Sequence, residues 1–183
     1  MAFELIGQFL CGWLIADFLS GLFHWWQDVY GDARTPVIGP LIVLGAQEHH
    51  ADPLDFLGAG VLKRNRGVWA VAGLASVIWF VVLGPSMMWL AATVAGLISG
   101  QIHELTHRPP GGSVLLRCLR ATGLVQAPAQ HLRHHRLPDT NYCAVTNWLN
   151  PPLDAIGFWR GLERAAGIFG FAPAGAAQSR PLT

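Results

Sequence analysis

From Gly67 to Ile102 the chain runs for thirty-six residues without an aspartate, glutamate, lysine or arginine. A run this apolar is read as membrane-spanning. As one helix it would measure about 54 Å, too long for a single crossing. Gly84-Pro85 interrupts its centre with a turn signal. The expectation is therefore a hairpin, one span over 68–83 and a second over 86–102. A further apolar stretch, LIGQFLCGWLIADFLSGLF at 5–23, is broken only by Gln8, Asp17 and Ser20. It would reach about 28 Å, close to the thickness of a bilayer core. A cleaved secretory leader fits this stretch poorly. Glu4 stands where a basic region belongs, and no small-x-small site precedes the tryptophans. The expected fold class is an all-α integral membrane protein with about three transmembrane helices and further helices lying on the cytoplasmic face.

Charge gives an independent test of that layout. With crossings at 5–23, 68–83 and 86–102, all twelve lysines and arginines fall on one side, from Arg34 and Lys63 to Arg164 and Arg180. The positive-inside rule makes that side cytoplasmic. Trp25, Trp26 and Trp69 then sit at its interface, where an aromatic belt belongs. Only 13% of residues are charged, 52% are apolar, the net charge is +1, and mean hydropathy is +0.37. This excludes a disordered chain and a nucleic-acid binder working through a strong positive field. Cys11, Cys118 and Cys143 form no CxxC pair, which argues against a disulfide scaffold or a cysteine-rich zinc site. The segments 37–46 and 56–62 are apolar but too short to span. Residues 113–125 mix apolar positions with Arg117 and Arg120, as a surface-lying helix does. Residues 138–153, rich in proline and asparagine, read as loop, and 173–183 as a frayed tail. There is no internal repeat, and residues 1–183 read as one domain.

The chemistry is concentrated in the histidines. All eight belong to a few groups: His24, His49-His50, His103-x-x-x-His107 and His131-x-x-His134-His135. Each lies at the cytoplasmic end of an expected span or beside an interfacial segment. On a helix, residues three or four apart share a face. His103 and His107 can therefore reach one metal or two adjacent ones, as can His131 with His134 or His135. Asp17, His24 and Asp28 also share a face, seven and four residues apart. The acids Asp17, Asp28, Glu48, Asp52 and Glu104 lie close enough in sequence to support ligands. One metal takes four to six donors, so this supply suggests two metals. Nitrogen-rich ligation with carboxylate support suits iron, and zinc also fits. An interfacial histidine or a pH-sensing cluster is the plainer alternative, and it leaves the gathering of all eight unexplained. Asp17 inside a span needs a partner. A histidine of the metal site is the expected one, and a contact to another helix is the alternative.

The segments GLFHWWQDVYGD at 21–32, EHHADP at 48–53, QIHELTH at 101–107, QHLRHHRLPDTNYCAVTNWLN at 130–150 and IGFWRGLE at 156–163 resemble the plasmanylethanolamine desaturase (CarF-type) family. That family is related to plant plastid palmitate desaturases, within the wider histidine-motif membrane desaturases and hydroxylases. The likeness covers about three quarters of the chain in the family's order. It implies a membrane lipid desaturase with two iron ions, using O2 as co-substrate. Its substrate would be an alkyl or acyl chain of a phospholipid, and its electrons would come from a ferredoxin or cytochrome b5 type donor. It carries the family's metal ligands onto His24, His49, His50, His103, His107, His131, His134 and His135. In one place the chain departs from the family. Leu54-Asp55-Phe56 followed by LGAGVLKRN stands where the family has a His-Asp-Phe stretch and an Asn-Gly pair. Asp55 is retained as a further supporting acid. Other readings are a lipid hydroxylase, another metal oxidoreductase, or a metal-binding membrane protein without catalysis.

Overall fold

A computed structural model describes residues 1–108 and 111–174; at Asp55 and Phe56 it describes the backbone alone. Every regular element among the described residues is helical. The first, α1, spans Ala2–Val29. A π-helical turn at Gly39–Val43 runs directly into α2, Leu44–Ala51, and a 3₁₀ turn at Asp55–Gly58 precedes α3, Val61–Leu83. Then follow α4, Met87–His107, and the short helices α5, Val114–Ala121, and α6, Pro128–Arg136. Two last helices close the described chain, α7, Asn150–Ala155, and α8, Phe158–Ile168. Helices cover the expected stretches 5–23, 68–83 and 86–102, and each is longer than its apolar run. At 1.5 Å per residue, α3 measures about 35 Å and α4 about 32 Å. By length and composition α1 and α3 could each cross a membrane. In α4 the last turns carry Gln101, His103, Glu104 and His107, because this helix continues past its apolar stretch into the histidine site.

The α3–α4 hairpin turns where the sequence predicts. Gly84 adopts φ +78°, which a side chain would strain, and the Ser86 hydroxyl caps α4 by accepting from Trp89 N. The most extensive helix pairing is α1 with α4. Small residues are buried on both helices, Gly12 and Ala16 on α1 and Ala91, Ala95 and Ser99 on α4, and Ala16 and Ala95 belong to one core cluster. A Cβ at Gly12 would come within 2.1 Å of the Met88 carbonyl oxygen, so the two backbones nearly touch there. In contrast, α3 buries only Asn65, and Leu74, Val77, Ile78, Val81, Val82 and Leu83 stand exposed along it. A continuous apolar face of this kind belongs against lipid rather than water.

Two sequence expectations change here. The 113–125 segment does contain a helix with no buried residue, but its end turns inward and buries Val125. Residues 138–153 are not all loop, since α7 starts at Asn150, and this segment is among the most buried in the molecule. Tyr142, Cys143, Val145, Thr146 and Asn150 are inaccessible. Most of the expected tail, 175–183, lies outside the described residues.

Candidate metal centre

Four helices supply the histidines, and the structure brings all eight together. In one group are His49 from α2, His103 and His107 from α4, and His131 and His135 from α6. In the other are His24 and Asp28 from α1, His50 from α2 and His134 from α6. Within each group the candidate ligand atoms lie within 4.8 Å of one another. In the first, His49 Nε2 is 3.0 Å from His103 Nε2 and 3.1 Å from His135 Nε2, which is 2.9 Å from His131 Nε2. In the second, Asp28 Oδ2 faces His50 Nε2 at 3.2 Å, His134 Nε2 at 3.4 Å and His24 Nε2 at 3.6 Å.

The consecutive histidines explain how one short motif serves two groups. Neighbouring residues on a helix point about 100° apart. His49 and His50 therefore leave α2 in different directions and join different groups, and His134 and His135 leave α6 in the same way. The i,i+4 spacing does the complementary work. His103 with His107, and His131 with His135, stay on one face and enter one group.

Two features make these groups fit a cation. The first is tautomer control. His24 Nδ1 donates to the Tyr142 carbonyl at 3.1 Å, and His134 Nδ1 donates to the Thr140 carbonyl at 2.8 Å. In each ring this bond fixes Nδ1 as the donor, so that in the neutral form it is Nε2, facing inward, that is left to bind a metal. The second is the state of Asp28. Its Oδ2 is buried and accepts no well-formed hydrogen bond while three imidazole nitrogens crowd it. Converging nitrogen lone pairs around a buried carboxylate oxygen favour a positive ion among them. Burial first, and then the neighbouring imidazoles, hold His49 down at about 2 and His135 at about 3 from an ordinary 6.5. His131 is likewise held well below 6.5. These rings are neutral at physiological pH, as ligands must be.

The acids expected around the histidines divide. Asp28 stands among the ligand atoms rather than behind them. The buried carboxylate of Glu104 is held by Arg64 on α3 at 2.9 Å and by Arg108, the residue that caps the end of α4. Glu48 is exposed, and Asp52 accepts from Leu54 N at the end of α2. The side chain of Asp55 lies outside the described residues. Leu54 is 60% exposed, and both groups form without a side chain from its position.

Asp17 requires a correction. The sequence expectation gave it a histidine partner. Instead its carboxylate accepts from Val145 N at 2.8 Å, from Thr146 N at 3.1 Å and from the Thr146 hydroxyl. Seven residues along a helix is about 10 Å, so a shared face with His24 does not bring the two into contact. Asp17 fixes the 144–146 stretch, and Ser20 adds a bond from Ala144 N. Asn150 grips the same segment by accepting from Cys143 N and donating to the Cys143 carbonyl, which also accepts from Gln126. The peptide carbonyls that orient His24 and His134, those of Tyr142 and Thr140, lie immediately before this clamped segment. Sequence reasoning missed the clamp because its partners lie up to 129 residues apart. The buried acid in an apolar helix was the one signal pointing to it.

The model of the lipid desaturase domain matches residues 13–174. The chain is 32% identical to plasmanylethanolamine desaturase 1 of Mus musculus, over 84% of this chain and 62% of that protein. It is 30% identical to a probable fatty acid desaturase of Acanthamoeba polyphaga mimivirus, over 85% and 79%. It is 34% identical to the chloroplastic fatty acid desaturase 4 of Arabidopsis thaliana, over 83% and 48%. The chain thus spans about half to four fifths of the length of these relatives. No solved structure matches it. With every histidine of both groups inside the matched region, this chain belongs to the lipid desaturase domain family.

Proposed function

We propose that this protein is an O2-dependent membrane lipid desaturase that introduces a double bond into an alkyl or acyl chain of a phospholipid. The observation that carries the reading is the pair of abutting ligand groups, each rich in imidazole, that share α2 and α6. His49, His103, His107, His131 and His135 would hold one iron ion. His24, His50 and His134 with Asp28 would hold the second. When bound, the iron pair supplies the oxidising power to remove hydrogen from an unactivated C–H bond, which no side chain can supply.

The chain's own residues do the rest. The carbonyls of Thr140 and Tyr142 keep His134 and His24 in the ligating tautomer. Asp28 contributes negative charge that offsets the charge of the cations. His131 and His134 are inaccessible to solvent, which keeps bulk water off the reacting centre. The Arg64–Glu104–Arg108 contact ties α3 to α4 one residue from His103, holding that ring's helix in place. Three crossings, by α1, α3 and α4, would leave the histidines on the cytoplasmic face, in reach of an electron donor of ferredoxin or cytochrome b5 type.

The test is purified protein in lipid nanodiscs, analysed for metal and then for lipid product after reduction and exposure to O2. Two iron ions per chain and a product two mass units lighter than its parent are expected. A product sixteen units heavier would make the protein a hydroxylase, and one zinc without iron would overturn the reading.

A further inference from the structure

Two cavities meet beside the histidines. One, of about 210 Å³, opens between the π-turn, α2 and the start of α3 and reaches His24, His49 and His103. Its lining includes Lys63, Arg66, Glu48 and Asp52, all exposed. The other, of about 100 Å³, lies between α1, α3 and α4, and its walls are almost wholly apolar. Ser20, Phe23, Val68 and Ser99 line both, so the two adjoin. From this junction the second cavity runs along α3 to Trp79, about 16 Å away at the helical rise.

We propose that this apolar arm holds the hydrocarbon chain of the lipid substrate, with the lipid's polar end at the charged rim of the first cavity. The proposal rests on the desaturase reading and adds to it where the chain lies. Small side chains hollow the arm: a Cβ at Gly96 would stand 3.3 Å from the Cβ of Ala72. Beyond it, a Ser76–Thr93 hydroxyl bond of 2.7 Å and a bond from Trp89 Nε1 to the Ser76 carbonyl tie α3 to α4. Those ties hold the walls at a fixed separation and keep them from collapsing onto the hollow. Three facts select a lipid chain as occupant. The arm is apolar, it leads to the histidines, and the helix forming one wall turns an exposed apolar face outward, where membrane lipid is at hand. A water-soluble substrate would gain nothing from such walls.

The experiment uses the full chain in nanodiscs with a small fraction of a phospholipid that carries a diazirine in the middle of one chain. After illumination, labelled residues are located by mass spectrometry. Label at Val71, Ala75, Thr93 or Trp79, competed away by the same lipid without diazirine, is the expected result. Val71→Phe, which fills the arm from one wall, should lower that labelling and any turnover about tenfold, with metal content and thermal midpoint unchanged. Ala72→Leu is a second obstruction, should Val71→Phe fail to fold. Label confined to Leu74, Val77 and Val81 on the outer face of α3, equal in wild type and obstructed variants, would overturn the arm. Arm labelling in protein that desaturates no lipid would support the arm and overturn the catalytic reading instead. Desaturation unaffected by either obstruction, with no arm label, would overturn the arm alone.

Discussion

Helix α3 and the 141–150 segment invert the usual relation between polarity and burial. Residues 74–83 of α3 are apolar and largely exposed, whereas 141–150 carries asparagines and threonine and is largely inaccessible. In water this arrangement would be unstable twice over, since apolar area would face solvent and polar groups would be stripped of it. It is consistent if lipid surrounds α3 and if each buried polar group has a partner. The partners exist: Asp17, Ser20, Asn150, Gln126 and Asn147 answer the backbone of residues 127 and 143–146. Composition therefore does not say which segment is inside. The surroundings and the hydrogen-bond account do.

The largest break in this contrast should come from Asp17→Ala. Two buried backbone N–H groups and one hydroxyl would lose their acceptor, at a cost of about 3–5 kcal/mol. Thermal unfolding in detergent should show it, and metal content should fall with it because the Thr140 and Tyr142 carbonyls lose their mooring. A variant that melts like wild type with full metal would show that the clamp does not support the site. Next is Ile78→Arg on α3, 54% exposed. In a membrane-insertion assay it should cost about 2.5–3.5 kcal/mol, yet in detergent it should shift stability by no more than about 0.5 kcal/mol. Equal effects in the two media would mean that α3 does not meet lipid. Asn150→Ala removes two buried bonds to Cys143 and should cost about 2 kcal/mol, read as a lower denaturant midpoint with an unchanged slope. The smallest effect is expected from Val81→Ala, at 76% exposure. It should be nearly silent in both media, and a loss above about 1 kcal/mol would reveal a packing partner for that face.

The legible parts of the molecule are those whose signal is local. The charge-free run and Gly84-Pro85 specify the α3–α4 hairpin because length, hydropathy and a turn all act within neighbouring residues. The i,i+4 pairs His103–His107 and His131–His135 were legible for the same reason, whereas the division of His49 from His50 and of His134 from His135 depends on which helices pack around them. The clamp was not legible. Proline and asparagine between 138 and 153 have the composition of a solvent loop, and only a carboxylate from the first helix converts them to core. Asp28 shows the middle case. Its shared face with His24 was visible, but its place among the ligands required His50 and His134 to arrive from two other helices.

The two His-His pairs carry a last consequence. Because His49 and His50 are joined by one peptide bond, as are His134 and His135, neither ligand group can shift as an independent unit. The step between consecutive Cα atoms is fixed at about 3.8 Å, so the backbone itself acts as a rigid spacer between the two groups. Ordering α2 and α6 around one ion already places an imidazole from each helix for the other. Were two ions to bind, the entropy of arranging those rings would be spent once for both, and the second would meet a prepared cradle.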